Sequence, residues 1–244
     1  MSSDLARFPR PSVAVDVAVL TVLPAGGGGS RGSLDLAVLL WRRTGRTGTG
    51  KWGLPGSFLR ERELLAAGVS RTLRDKCGIR GLAPRQLRVL DDPARDDRGW
   101  VLSVAHLDIA PATALTDRRS DAEVRLALVV PPSGAATPRR RSVLALPDGQ
   151  RRLPFDHEAI VRLALDDLRA RYRNRPDPSH LIPEPFTLRQ LRLVHEAVHG
   201  SPLQKDTFRR AMLPFLNELD ALEEGSLGRP ARLYAFRPPA TDGP

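Results

Sequence analysis

The chain has 244 residues, 41% of them hydrophobic, with 38 Lys and Arg against 28 Asp and Glu, a formal net charge of +10. This length allows two modest domains with buried cores, and the single cysteine, Cys77, excludes an internal disulfide and a cysteine metal cluster. No run approaches the ~20 consecutive apolar residues of a membrane span, and the first residues lack the apolar core of a signal peptide, so we expect a cytoplasmic protein without membrane contact.

The first half of the chain alternates apolar runs with glycine-rich loops. Residues 12–23 and 34–42 are rich in Leu and β-branched residues, which predicts two adjacent strands. After a second loop, residues 61–76 have apolar side chains at helical spacing, and Gly78 is expected to end that helix. Further strands are predicted at residues 86–90, 100–109, 124–130 and 142–146.

The second half of the chain predicts a long helix and then a separate small module. Residues 155–172 form an amphipathic helical pattern, and the two prolines of residues 174–178 interrupt helices, so we place a boundary between domains at 10–173 and 174–240. Thr187 is expected to cap a helix that ends at Gly200.

A second helix is then predicted over residues 203–222, followed by a glycine turn and an alternating strand over residues 225–237. Helix, turn, helix and hairpin in this order indicate a winged helix.

The segment that begins near Trp52 resembles the Nudix box, the pattern G-x5-E-x7-R-E-U-x-E-E-x-G-U, in which U is a large aliphatic residue. Glu63 and Arg71 stand at the first glutamate and at the arginine. Ser57 replaces the first glycine, and the three later glutamates are replaced by Thr72, Asp75 and Lys76.

Those three positions share one helix face, where carboxylates would converge on a hard cation. Lys76 instead brings a cation to the place of the metal, so Mg²⁺-assisted attack on a diphosphate loses its electrostatic basis. We therefore predict no metal, no cofactor, no catalytic residue and no hydrolase activity. Glu63 and Arg71 are more plausible as a structural ion pair than as catalytic groups.

Three further stretches are similar to the Nudix-related transcriptional regulators of the NrtR family. Residues 92–98 fit the pattern D-P-x-R-D-x-R, residues 155–160 fit F-D-H-x-x-I, and residues 183–234 are similar to the winged-helix domain in order and spacing. The resemblance implies an α+β protein with a Nudix-type α/β/α sandwich around a mixed sheet, followed by a winged helix-turn-helix domain. It also implies a homodimer that releases operator DNA when its sensor domain binds ADP-ribose or a related sugar nucleotide.

The resemblance and the chemistry of the residues together give a predicted effector-binding set. Arg95, Asp96 and Arg98 suit a diphosphate or ribose through bidentate bonds, although a charged hairpin turn would have the same residues. Trp52 is suited to stacking on a base, with a place in the core as the alternative. The full set is Trp52, Gly56, Phe58, Arg60, Glu63, Arg71, Arg95, Asp96 and Arg98.

A net positive charge attracts nucleic acid, but residues 183–237 hold 8 basic against 7 acidic residues. The DNA-binding residues are therefore predicted from the positions of the basic residues on the second helix and on the wing, and not from net charge. Basic and polar residues near the start of a recognition helix reach phosphates and base edges, and basic residues of a wing reach the backbone or minor groove. A solvated helix face is the alternative. The predicted DNA-binding residues are Lys205, Thr207, Arg209, Arg210, Arg229 and Arg232.

Three other functions remain open from the sequence. A divergent Nudix hydrolase would use Glu63, Asp75 and a displaced carboxylate. A regulator that responds to a partner protein in place of a nucleotide would have the same winged helix. Residues 195–199 read H-E-x-x-H, the pattern of zinc peptidases, but the helix is expected to end at Gly200, and a small module hardly provides an enclosing cleft.

Overall fold

The computed structural model describes residues 7–26, 32–45, 47–131, 143–222 and 230–238. The strands are β1 (Ser12–Pro24), β2 (Leu34–Arg42), β3 (Trp52–Gly53), β4 (Gly56–Phe58), β5 (Arg85–Leu90), β6 (Val101–Ile109), β7 (Val124–Leu128), β8 (Phe186–Thr187), β9 (Leu216–Leu222) and β10 (Arg232–Phe236). The helices are α1 (Leu65–Thr72), α2 (His157–Arg171), α3 (Leu188–His199) and α4 (Lys205–Met212). None of the described helices combines the length and apolar character that a membrane span requires.

Strands β1 to β7 form one mixed sheet, with β1 parallel to β6 and its other pairings antiparallel. The side chains of β1 alternate between two cores. Val15, Val17 and Val19 face the core that contains α1, whereas Leu20 and Val22 face the core that contains α2. The predicted α/β/α sandwich with a mixed sheet is confirmed.

Helix α1 begins four residues later than the sequence pattern predicts. Arg62 has a φ of 57°, which is not a helical conformation, and the Glu63 carboxylate accepts a hydrogen bond from the Arg60 backbone N–H at 2.9 Å. Beyond Thr72 the helix continues as one wider π turn over Leu73–Cys77 and ends at Gly78, whose φ is 76°.

The predicted strand at residues 142–146 is wrong within the described residues. Residues 143–146 make one isolated bridge, between Leu144 and Val129, and Pro147 then begins a short 3₁₀ turn. Proline lacks the backbone donor that would extend such a ladder.

Beyond α2, the small sheet β8-β10-β9 packs with α3 and α4 around Phe186, Leu191, Phe208 and Met212. Thr187 caps α3 through a reciprocal pair of hydrogen bonds with Gln190, and Gly200 ends it with a φ of 71°. The predicted winged helix is confirmed.

The single helix predicted over residues 203–222 is wrong. Helix α4 stops at Met212, a 3₁₀ turn follows at Leu213–Phe215, and β9 then begins. Pro214 accounts for the break because it cannot donate to the preceding turn.

Helix α3 packs on two cores. Leu191 belongs to the small core of the winged helix, whereas Val194 and Val198 are buried against Leu168 and Tyr172 of the sandwich. Helix α3 therefore contributes to both cores, and not to the small core alone. The winged helix is anchored on the sandwich by apolar burial.

Candidate effector cavity and nucleic-acid interface

The candidate effector cavity opens where β1 changes its antiparallel neighbour. Residues 14–16 pair with β4, whereas residues 20–24 pair with β2. A cavity of about 260 Å³ lies beside this change of partner. Its charged and aromatic lining consists of Asp16, Arg43, Lys76, Arg95, Asp96, Arg98, Trp41, Phe58, Phe155 and His157.

Asp16 is the buried carboxylate at the base of the cavity. Its Oδ2 accepts from Ser103 Oγ at 2.6 Å and lies 3.4 Å from Arg95 Nη2, and its Oδ1 lies 3.4 Å from His157 Nε2. Burial alone would raise the pKa of Asp16, but the charge and hydrogen bonds of His157, with Ser103 and Arg95, lower that pKa to about 2. Asp16 is therefore ionised at neutral pH.

Gly56 is required beside this carboxylate. It lies opposite Asp16 in the β1–β4 ladder, and a Cβ added to it would stand 1.9 Å from Asp16 Oδ1. Any larger residue at this position would displace the carboxylate or the strand.

Two arginines of the cavity are held by carboxylates. Arg95 makes a bidentate pair with Asp156, at 2.9 Å from Nε and 2.8 Å from Nη2, and Arg98 pairs with Asp96 at 2.8 and 2.6 Å. The Arg98 guanidinium also lies over the Phe58 ring, 5.3 Å from its centroid. These pairings fix the guanidinium positions before a ligand arrives.

The side chains at the former glutamate positions of the Nudix box do not fit a divalent metal. The Thr72 hydroxyl is buried, donates to the Gly68 carbonyl at 2.7 Å and lies 2.5 Å from Ser57 Oγ. Asp75 is half exposed and pairs with Arg74 at 2.8 Å, away from the cavity lining. Of Thr72, Asp75 and Lys76, Lys76 is the residue that lines the cavity. Across the described residues, no group of three or more His, Cys, Asp or Glu side chains is placed to hold a metal ion.

The structure brings five of the predicted effector residues to this cavity and leaves four outside its lining. Gly56, Phe58, Arg95, Asp96 and Arg98 line it. The four outside are Trp52, Arg60, Glu63 and Arg71.

The positions of those four residues have structural explanations. Trp52 is 1% exposed, and its Nε1 donates to Asp148 Oδ2 at 2.8 Å, so its ring belongs to the core. Glu63 and Arg71 form a bidentate pair with both bonds at 2.7 Å, which braces the loop before α1. Arg60 is exposed and gives its backbone N–H to that pair.

Several residues that line the cavity are not among the effector-binding residues predicted from the sequence. They are Asp16, Trp41, Arg43, Phe155 and His157. Asp16 had a usable signal, because an ionisable residue inside the apolar run of residues 12–23 must be paired when it is buried. Trp41 lies in β2 and Arg43 directly follows that strand, so the two are two positions apart, a spacing that places side chains on one face of an extended chain.

The candidate DNA-binding face is the exposed side of α4. Lys205, Thr207, Arg209 and Arg210 are exposed, whereas Phe208 between them is 7% exposed and packs in the small core. The Gln204 side chain caps this helix by accepting from the Thr207 backbone N–H at 2.6 Å. The inward Phe208 thus fixes which side of α4 is presented to a partner.

The structure describes one of the two arginines predicted to contact DNA from the wing. Arg232 lies on β10, is exposed, and forms an ion pair with Glu218 of β9. Glu218 therefore lies on the wing strand and offsets the charge of Arg232, contrary to its expected place on a helix. Arg229 and the predicted glycine turn before it lie outside the described residues.

The H-E-x-x-H stretch is structural. His195 is 1% exposed, lies between the rings of Tyr172 and Phe208, and accepts from the Asp177 backbone N–H through Nε2 at 3.5 Å. Burial lowers the pKa of His195 to about 4, so it is neutral at physiological pH. Glu196 Oε1 accepts from the Leu203 backbone N–H at 2.8 Å. These contacts leave no arrangement for a zinc site at this helix.

Both the sandwich and the winged helix are similar to parts of known transcriptional regulators. Residues 178–236 match the family model of the NrtR DNA-binding winged helix domain. The ADPR responsive transcriptional repressor NtrR of Acinetobacter baylyi is 28% identical over 236 residues, which cover 94% of this chain and 83% of that protein.

Solved structures give the same result over nearly the whole chain. The structure of Shewanella oneidensis NrtR complexed with a 27mer DNA superimposes with a TM-score of 0.66 at 27% identity, covering 92% of this chain and 93% of that one. A MutT/nudix family protein from Enterococcus faecalis shares the fold, with a TM-score of 0.69 at 22% identity over 95% of this chain and 88% of that one. The chain is therefore related to the NrtR transcriptional regulators, and it joins a Nudix-like domain to a winged helix of the NrtR type.

Proposed function

We propose that this protein is a transcriptional regulator whose winged helix binds double-stranded operator DNA and whose Nudix-like cavity senses a nucleotide-like effector. The similarity to an ADP-ribose-responsive repressor makes ADP-ribose the first effector to test. The similarity to a protein crystallised with DNA supports the DNA-binding half. We further propose Arg95, Asp96 and Arg98 as effector-binding residues, because they line the cavity and arginine suits phosphate.

The observation that carries this proposal is that one helix, α2, contacts both functional regions. At its start, Asp156 pairs with Arg95 and His157 faces Asp16, so this end is part of the cavity. Near its other end, Arg169 Nε donates to the Val198 carbonyl of α3 at 3.2 Å.

The far end of α2 is also fixed to the winged helix by buried polar contacts. The Tyr172 hydroxyl donates to Asp177, and the Tyr172 ring lies 5.1 Å from the ring of His195 on α3. A ligand that moves Arg95 and Asp156 therefore has a continuous packed route to the helix that supports α4. Such a two-ended element is a means of coupling two sites, and the coupling energy itself has to be measured.

The proposal also includes a domain boundary, a homodimer and a set of DNA contacts. We place the boundary between residues 173 and 174, with the sensor at 10–173 and the DNA-binding domain at 174–240. We propose a cytoplasmic homodimer that joins through its Nudix-like halves, because two winged helices would then face a two-fold symmetric operator. On α4 and β10 we propose Lys205, Thr207, Arg209, Arg210 and Arg232 as DNA contacts, with Arg229 from the preceding turn.

We also propose that the Nudix-like domain does not hydrolyse its ligand. The cavity contains no converging carboxylates from the box, because Thr72 is hydrogen bonded within the fold and Asp75 pairs with Arg74. A divergent hydrolase would release AMP from ADP-ribose in the presence of Mg²⁺. We expect no AMP above the buffer control, and steady turnover would replace the regulator by an enzyme.

The test of the main proposal is specific DNA binding at physiological salt with excess nonspecific competitor, on the DNA upstream of the protein's own gene. We expect a specific complex that ADP-ribose weakens. Specific binding that no nucleotide changes would favour a regulator with another signal, such as a partner protein. Failure to select any DNA sequence from a random pool would contradict the DNA-binding half.

A further inference from the structure

The cavity holds an internal cation where a Nudix hydrolase would hold a metal. Lys76 leaves the π turn after α1 and directs its ammonium group into the cavity, where Nζ donates to the Gly56 carbonyl. The same Nζ lies 4.1 Å from the centroid of the Trp41 ring, a cation–π contact. The Gly56 carbonyl of β4 and the Trp41 ring of β2 thus fix the position of the Lys76 ammonium group.

Two cations of the cavity have no carboxylate at ion-pair distance among the residues that the structure describes. Arg95 and Arg98 are paired with Asp156 and Asp96, whereas Arg43 and Lys76 form no ion pair within the described part of the chain. Arg43 instead lies over the Phe155 ring, 4.8 Å from its centroid, and donates to the Thr47 carbonyl at 3.2 Å.

Burial and neighbouring positive charge disfavour the charged forms of these two groups, and the charge of Asp16 offsets this only in part. Burial, followed by the charge of Arg43, lowers the pKa of Lys76 to about 8. Burial, followed by the charge of Arg98, also lowers the pKa of Arg43. An anion placed between Arg43 and Lys76 would raise both pKa values, because it would give each buried positive charge a favourable partner.

The donor geometry suits phosphate oxygens. An ammonium group has three N–H donors, and Lys76 uses one on the Gly56 carbonyl, which leaves two for a ligand. Arg43 and Lys76 line the same cavity as Arg98, so one anion between them meets donors from three segments of the chain. A diphosphate carries enough oxygens to accept from all three.

We propose that this cavity binds the diphosphate of its effector without a divalent metal, with the ammonium group of Lys76 and the guanidinium group of Arg43 in the place of the metal. The inference rests on the proposed sensing function and states how the cavity performs it. An ammonium group attracts a diphosphate but does not activate a water molecule as a metal does, so the bound signal is not consumed.

Titration calorimetry on the full chain tests this inference, with ADP-ribose as the probe and either EDTA or Mg²⁺ in the buffer. We expect the same affinity in both buffers. Lys76→Met should weaken binding by about 10- to 100-fold, the usual effect of losing a charge-assisted hydrogen bond. Lys76→Arg, which keeps the charge, should retain more affinity than Lys76→Met.

Lys51→Met is the matched control, because Lys51 is exposed and lies outside the cavity lining. It should bind ADP-ribose like the original chain. The melting temperature of Lys76→Met without ligand should be equal or higher, because a buried charge is replaced by an apolar side chain of similar length. This measurement separates lost binding from lost folding.

Binding that requires Mg²⁺ would overturn the inference, and so would a Lys76→Met chain that binds as tightly as the original. Failure of both ADP-ribose and inorganic pyrophosphate to bind in either buffer would also overturn it. Specific DNA binding by the same preparations is measured in parallel. If DNA binding persists while the cavity fails these tests, the inference is wrong and the DNA-binding half of the proposed function stands.

Discussion

The cavity and the exposed side of α4 both contain several basic residues, but these residues differ in burial and in ion pairing. In the cavity, the Arg95 side chain is 4% exposed and contacts two carboxylates, Asp16 and Asp156. On α4, Arg209 and Arg210 are exposed and form no ion pair with any residue that the structure describes. The first arrangement holds a charge in place between carboxylates, and the second leaves it in contact with solvent.

This difference separates two kinds of recognition. Buried, paired arginines present fixed donors and can select a small ligand by its shape, because their partners hold them in one geometry. Exposed, unpaired arginines attract a long polyanion over a distance that depends on salt, and they adapt to the phosphates they meet. The same residue type would therefore serve the proposed sensor in one region and the proposed DNA surface in the other.

The largest effect that would test this comparison is the loss of Arg95. Arg95→Ala leaves Asp16 and Asp156 without their shared cation, and removing one partner of a buried pair costs about 3–5 kcal/mol. We expect the free energy of unfolding in urea to fall by that amount. The exposed counterpart, Arg209→Ala, should change it by less than about 0.5 kcal/mol. Equal effects of the two substitutions would contradict the contrast between the regions.

A second substitution probes the contact that lies between the two regions. Tyr172→Phe removes the hydroxyl that donates to Asp177, whose carboxylate is fully buried and otherwise accepts from the Ile182 backbone N–H at 2.9 Å. Loss of one hydrogen-bond partner of a buried polar group costs about 1–3 kcal/mol. Tyr234→Phe is the control, because the Tyr234 hydroxyl has only a 3.5 Å contact with Glu218.

If α2 couples the cavity to the winged helix, Tyr172→Phe should also reduce the change in DNA affinity that ADP-ribose causes. DNA affinity is measured with and without ADP-ribose for Tyr172→Phe and Tyr234→Phe. Full retention of the ligand effect in a folded Tyr172→Phe chain would show that this contact does not transmit it.

The DNA surface predicts an effect on affinity without an effect on stability. Arg209→Ala and Arg210→Ala should each weaken operator binding by about 1–3 kcal/mol if the side chain contacts a base edge. If it contacts phosphate, the slope of log affinity against log salt should fall by about 1 per substitution. Titration of labelled operator at several salt concentrations measures both quantities. Unchanged affinity for both variants would contradict α4 as the DNA-binding face.

The smallest expected effect is a pH dependence of ligand binding from Lys76. Its ammonium group is surrounded by Asp16, Arg43, Arg71 and Cys77, and the pKa of the Cys77 thiol is raised to about 12 by burial. An anion binds the protonated form of Lys76, so affinity should be full below pH ~8 and decrease as the pH rises through that value. Lys76→Arg should abolish the decrease, because a guanidinium group does not titrate in this range.

Most of the local structure could be predicted from short stretches of sequence. Runs rich in Leu and β-branched residues located β1 and β2, helical spacing located α2, and Thr187 and Gly200 correctly bounded α3. The Nudix box and the F-D-H stretch predicted the sandwich before any contact was known. These features are local or periodic, so each is readable within a short window of residues.

Which side chains come together could not be predicted in this way, because it depends on the packing of distant segments. Asp16, Lys76 and Arg95 come from three separate segments, and they share a cavity because β1 exchanges β4 for β2 along its length. Whether an arginine is a paired cavity residue or a free surface residue depends on carboxylates distant in sequence, as Asp156 is from Arg95. Burial and pairing are properties of long-range packing, and a residue's neighbours in the chain do not specify them.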